Sequence, residues 1–214
     1  MCTDQFHGFL QALPKCEHHV HIEGTLSPEL LFQLAEKNGV TLPSDTDAAF
    51  ASPSALRARY REFKSLDDFL QYYYTGFSVL LTTDDFADLA YAYLAIAHAQ
   101  SVRHAEVFFD PQAHTSRGVS YVTVIEGLST ARRRAAVDFP QLFNINSDDP
   151  AYFGGYILEN YCAVHDAFDL SVDEWAGVAM GAVEGSWCDE ARKAVLRAEV
   201  EQVVGEWRGR LAMV

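Results

Sequence analysis

The sequence predicts a mainly helical α/β fold with about three parallel strands. Three observations lead there. Three short, partly alternating apolar runs read as strands: residues 15–22 (KCEHHVHI), 104–109 (HAEVFF) and 142–146 (LFNIN). Long stretches between them carry apolar residues at helical spacing. The order strand, helices, strand, helix, strand, helices then calls for right-handed crossovers and a parallel sheet.

The helices follow from local signals. Ser27, Pro28 and Glu29 open one: a cap, a first-turn proline and an acid near the positive end of the helix dipole. Leu30, Leu31 and Leu34 are its apolar stripe, and Gly39 is its stop. Residues 67–81 place Phe69, Leu70, Tyr73, Phe77 and Leu80 on a helical period. Residues 84–100 and 121–137 follow, then 153–167, 172–184 and 190–208. Ser171 and Glu174 form a capping box for the segment 172–184. Residues 41–54, rich in Pro, Ser and Asp, read as a loop. The 214 residues fit one domain, 1–214, without repeats or low-complexity tracts.

Composition excludes several functions. Sixteen basic residues face 30 acidic ones, a net charge of −14. Nucleic-acid binding draws on Lys and Arg meeting phosphates, so that partner is not expected. An anionic membrane surface is disfavoured for the same reason. No apolar run approaches the ~18 residues of a membrane span. Residues 1–15 lack the basic and apolar regions of a secretory signal. Cys2, Cys16, Cys162 and Cys188 contain no CxxC pair and read as reduced thiols of an intracellular protein. The expected location is the cytosol, with the nucleus as an alternative. A small neutral or cationic ligand suits the charge.

The strongest local pattern is EHHVHIEG at 17–24. On a strand, Glu17, His19, His21 and Glu23 share one face. Two neutral imidazoles two residues apart can bind one metal ion. With 8 His in the chain, such a pair arises by chance about 0.3 times, so the pair alone is weak. Asp148 and Asp149 follow the third strand. Adjacent acids at a strand end repel each other, and make sense if one binds a metal and the other a ligand. Ser-Asp-Asp-Pro is equally ordinary turn chemistry. Past the second strand, Asp110 precedes Pro111 in a natural turn, and His114 reads as a surface loop residue. All three features lie at C-terminal strand ends, where α/β folds place their sites. GxGxxG, P-loop and GxSxG patterns are absent. His21-Ile22-Glu23 matches an HxE zinc motif whose PCxxC partner is missing.

Three segments carry a family resemblance. LPKCEHHVHIEGTL at 13–26 resembles the N-terminal signature of the adenosine/adenine deaminases. VRHAEVFFDPQAH at 102–114 is similar to their second-strand segment, and NSDDPAYFGGY at 146–156 to their last catalytic loop. The resemblance implies a zinc-dependent (β/α)8 barrel that hydrolyses the C6 amino group of a purine. It implies zinc ligands at His19, His21 and Asp148, with Asp149 holding the purine. Adenosine-specific members usually carry Asp where this chain has Glu23. Glu23 with the Phe-Phe-Asp-Pro-Gln segment resembles the fungal adenine-specific type, which implies adenine as the purine base, adenosine as the alternative, and a place in purine salvage.

The chain also departs from that pattern. The family's His-Ala-Gly-Glu motif, which supplies the general acid and a zinc ligand, is absent. So is the later His that orients the nucleophile; His165 comes too late in the chain to replace either. Glu17 and Glu106 are candidate substitutes for the acid, with Glu17 better suited to orienting a zinc His. His18 stands where the family prefers Leu. A barrel needs eight strands and usually ~250 residues. The expected fold is therefore an incomplete barrel. Residues 1–140 form its N-terminal part and 141–214 its C-terminal part, with the central segment absent between them. The expected strand order is 104–109, 15–21, 142–146, with C-terminal helices over one face. The open edges invite self-association. The sequence leaves three readings: a working enzyme with substitute residues, a non-catalytic relative, or the product of a faulty gene model.

Overall fold

The computed structural model describes residues 4–138 and 148–211. Helix α1 (Asp4–Ala12) leads into strand β1 (Lys15–His21) and a 3-10 turn (Glu23–Thr25). Then come α2 (Pro28–Asn38), a 3-10 turn (Ala48–Ala51), α3 (Pro53–Tyr60), α4 (Leu66–Phe77) and α5 (Thr83–Ala99). Strand β2 (Val102–Phe108) precedes α6 (Pro111–Thr115) and α7 (Tyr121–Asp138). After Asp148 the chain is helical: α8 (Pro150–Phe153), α9 (Ile157–Phe168), α10 (Val172–Gly185) and α11 (Glu190–Leu211).

The caps work as expected. Ser27 Oγ accepts from Leu30 N–H, and Gly39 ends α2 at φ 63°, in the left-handed region that suits glycine. Ser171 and Glu174 form their capping box. The sequence missed α1, α3, α6 and α8, and the segment 41–54 holds a 3-10 turn and the start of α3 instead of being only a loop. At four to nine residues these helices are shorter than the stretch of about 11–18 residues over which an apolar period stands out. Ser52, which caps α3, and Pro53 are their legible traces.

β1 and β2 pair in parallel, with Cys16 opposite His104, Glu17 opposite Ala105 and His21 opposite Phe108. Asp148 joins the other edge of β1: its N–H donates to His19 O at 3.2 Å, and its C=O accepts from His21 N–H at 3.0 Å. The order β2, β1, Asp148 agrees with the expected one as far as the described residues go. The third strand, 142–146, lies outside them. Helices α5 and α7 pack together along one side of the sheet, and α10, paired with α11, lies against β1.

One register detail corrects the sequence reading. A shift between Glu17 and Val20 sets three β1 steps against two β2 steps. Such a bulge breaks the two-residue alternation. Glu17 therefore faces α5 and accepts from Tyr93 O–H at 2.5 Å, while His21 points with Phe108 to the other face. Glu23 lies beyond the strand, in the 3-10 turn. Glu17, His19, His21 and Glu23 thus do not share a strand face.

The sheet base is pinned by Lys15. Its buried ammonium donates to Leu13 O and Gln100 O, each at 2.9 Å, and to Leu10 O. Burial, and then Arg103, push its pKa well down. The carbonyls that end α1 and α5 thereby find a donor at the start of β1. Cys16 and Cys188 are free thiols, but Cys162 is disulfide-bonded, against the expectation of four reduced cysteines. Among the described residues no helix is long and apolar enough to cross a membrane.

Candidate metal and purine site

The end of β1 brings two imidazoles together. His19 Nε2 and His21 Nε2 are 3.1 Å apart. Asp148 Oδ1 lies 3.4 Å from the first and 3.8 Å from the second. Asp148 reaches them because its backbone is left-handed, φ 57°, a conformation Asp tolerates better than most residues. With both ring nitrogens unprotonated, the three atoms offer their lone pairs toward one point. Ligand atoms on a tetrahedral ion at ~2.0–2.2 Å sit ~3–4 Å apart. The donor set of two imidazoles and one carboxylate therefore fits a divalent metal ion.

Asp149 turns the opposite way and is buried, 7% exposed, whereas the Asp148 side chain is 59% exposed. The Asp149 carboxylate sits against Gly24: a Cβ there would lie 1.9 Å from Oδ1. Oδ1 has no protein partner. Burial, and next the charge of Asp148, push the Asp149 carboxyl up to about 7. Tyr152 fixes the loop from behind. It is fully buried, stacked on Tyr60 at 4.5 Å and edge-on to Phe69 at 5.5 Å. Helices α3 and α4 thus clamp the residues that follow Asp149.

Glu23 is buried beside this loop. Its Oε1 accepts from Asp110 N–H at 3.0 Å and from His114 Nε2–H at 2.7 Å. The surface-loop expectation for His114 is therefore wrong: it lies on α6 and is fully buried. Asp110 lies between the two groups. Its Oδ2 accepts from Tyr73 O–H at 3.4 Å and is 4.0 Å from His21 Nδ1.

The substitute acids are elsewhere. Glu106 is buried, accepts from Trp187 N–H at 2.8 Å and is 3.3 Å from His104 Nε2. Glu17 is occupied by Tyr93. His18 donates to Ala182 O at 2.8 Å, which ties β1 to α10. His165 is stacked on Phe6 at 3.9 Å in the α1–α9 contact. Sequence reasoning missed Tyr73, Arg117 and Tyr152. The His114–Arg117 spacing of three, one helical turn, was the faint signal for Arg117.

The family model described as adenosine deaminase matches residues 14–142 and 137–203. The chain belongs to the adenosine deaminase family. It is 35% identical to an adenine deaminase of Gibberella zeae, across 97% of this chain and 99% of that protein. An adenine deaminase of Schizosaccharomyces pombe is 34% identical, over 94% of each. The Gibberella alignment runs over 351 positions, more than the 214 residues here, so it crosses positions where this chain has no residue. The crystal structure of an adenine deaminase from Arthrobacter aurescens superposes with a TM-score of 0.83 at 26% identity, over 91% of this chain and all of that one. A zinc-bound amidohydrolase from Burkhoderia ambifaria superposes at 0.75 with 16% identity, over 100% of this chain and 96% of that one, and likewise supports the fold. The adenosine deaminase family is metal-dependent, and among the described residues its barrel is incomplete, with two parallel strands.

Proposed function

We propose that this is the metal-and-purine half of an adenine deaminase site. The observation that carries the reading is the convergence of His19, His21 and Asp148 on one point beside buried Asp149 and Glu23. His19, His21 and Asp148 would hold zinc, which supplies Lewis-acid activation of water at neutral pH. Asp149 offers Oδ1 to a purine ring, and Glu23 offers Oε2. Both acceptors are buried and unpaired, so a base rich in N–H groups would satisfy them. The adenine deaminases among the relatives support adenine over adenosine.

Binding and turnover separate in this chain. Hydrolytic deamination needs a proton delivered to the ring as water attacks, and such acid catalysis contributes typically ~10²–10⁴-fold. The His-Ala-Gly-Glu sequence that carries the family's acid is not in the 214 residues. Glu106 and Glu17 are held by Trp187 and Tyr93. The reading is therefore a zinc and adenine binder without deaminase turnover of its own. The missing central segment accounts for both the lost acid and the open barrel.

The test is a titration paired with an assay. The zinc-loaded chain should bind adenine in calorimetry and release no ammonia from it above a zinc-only control. A chain carrying a restored central segment should deaminate adenine faster than adenosine. Ammonia release from the 214-residue chain that vanishes in Asp148→Ala would overturn the non-catalytic reading. Faster turnover of adenosine by the restored chain would overturn the adenine assignment.

A further inference from the structure

Glu23 is wholly buried, yet only one of its oxygens is used. Oε1 takes both protein donors, while Oε2 has no partner. An unpaired buried carboxylate oxygen carries its full desolvation penalty. It is retained where a ligand meets it, and it serves only if the carboxylate cannot swing away.

The group that prevents the swing is His114. Its ring is stacked on Phe77 at 5.0 Å and meets Phe86 edge-on at 4.8 Å. Arg117 Nη2 donates to His114 Nδ1 at 2.9 Å and to Leu80 O at 2.9 Å. A guanidinium only donates, so Nδ1 carries no proton and Nε2 carries it. That proton points at Glu23 Oε1. The opposite tautomer would set a lone pair against the carboxylate. Arg117 thus decides which ring nitrogen is the donor, as the partner of one imidazole nitrogen generally does for the other.

We propose that Arg117 and His114 are positioning residues that lock Glu23 with Oε2 turned into the site, and that this lock is what selects a free purine base over a nucleoside. A free base presents an N–H on its five-membered ring, whereas a nucleoside has carbon there. A mobile glutamate could move aside for that carbon; a locked one leaves a buried acceptor unpaired and in the way. The proposal rests on the purine reading above.

The experiment uses the zinc-loaded full chain, with adenine and 9-methyladenine as probes in calorimetry. Wild type should prefer adenine by about tenfold or more. His114→Leu should weaken adenine by about tenfold and narrow that preference. His114→Gln, which can still donate to Oε1, should stay within about threefold of wild type. Zinc content should be equal in all three. Side-chain ¹⁵N spectra should show the Nε2–H tautomer of His114, and a mixture in Arg117→Leu. A folded, zinc-loaded His114→Leu with wild-type affinity and preference overturns the proposal. If zinc-loaded wild type binds no adenine, the purine reading fails. The tautomer spectra then decide the positioning claim, and a His114 signal unmoved by Arg117→Leu overturns it.

Discussion

The two sides of the site are built differently. On the base side, Glu23 and His114 are fully buried and Asp149 nearly so, and each is held by a named contact. On the metal side, the His19 side chain is 46% exposed and Asp148 is 59% exposed. The base side is assembled from the 3-10 turn after β1, α4, α5 and α6 of the N-terminal part, closed by Asp149 of the C-terminal part. The metal side is flanked by the edge of β1 that Asp148 alone covers among the described residues. A site can thus retain its recognition geometry while losing the enclosure that strengthens electrostatics during chemistry.

The largest effect should come from the open side. His19→Ala or Asp148→Ala leaves two of three converging donors, and zinc retention through dialysis should fall by about 100-fold or more, exceeding the ~10–100-fold typical of losing only an outer partner. His114→Ala should retain zinc as wild type does, read by elemental analysis. Equal losses in the His19 and His114 variants would erase the distinction between the two sides. Next comes Gly24→Ala, on the closed side. The added methyl would lie 1.9 Å from Asp149 Oδ1. Overpacking of this kind costs about 1–3 kcal/mol. A chain of this size then melts about 2–4 °C lower for each kcal/mol. An unchanged melting temperature would mean that the Asp149 loop yields, and that the closed side is softer than its contacts indicate.

The convergence of His19, His21 and Asp148 was legible in the sequence: the two imidazoles are two residues apart, and the family resemblance linked Asp148 to them. The base side was legible only in part. Glu23 and Asp149 stood out, but His114 read as a surface residue because nothing local reveals that Phe77 and Phe86 enclose it. Those contacts span 37 and 28 positions, beyond any periodicity. The expected common face for Glu17, His19, His21 and Glu23 failed for a related reason. A bulge is a property of the pair of strands, and β1 alone does not encode it. The fold class was legible from the alternation of strands and helices, whereas short α3 and α6 were not.

Asp85 gives the closed side a pH signature. Its buried carboxylate accepts from Leu81 N–H at 3.0 Å, Thr82 N–H at 2.8 Å and Asn38 Nδ2–H at 2.8 Å, and pairs with Lys37 at 2.9 Å. Burial alone would raise its pKa; the Lys37 bond and the backbone donors outweigh it and hold the carboxyl below its usual range. The ionised form is thus favoured more in the folded than in the unfolded chain. The stabilisation is present above the unfolded carboxyl value of ~3.9 and is lost as pH falls through the lower folded value. Asp85→Asn should cost about 1–3 kcal/mol at pH 7 in denaturant melts. The gap to wild type should close below about pH 4. A constant gap would show that packing, not charge, fixes the turn that anchors Arg117 through Leu80.

The smallest effect concerns Trp187, at the turn between α10 and α11. Its side chain is 74% exposed and 6.3 Å from Phe108, whose ring lies 4.6 Å from His19. The other two tryptophans are better shielded: Trp175 is 1% exposed, and Trp207 packs 6.1 Å from Phe9. Acrylamide should therefore quench mainly Trp187, and Trp187→Phe should remove most of that quenching. Stability should move by no more than about 0.5 kcal/mol, as for a surface substitution away from caps and buried pairs. The measurement sharpens the contrast because Trp187 stands beside the exposed imidazole. If quenching falls as protein concentration rises, and sedimentation shows a matching increase in mass, the open side is covered by a second copy of the chain. If quenching is weak even at nanomolar protein, the metal side is closed within one chain, and the difference between the two halves of the site disappears.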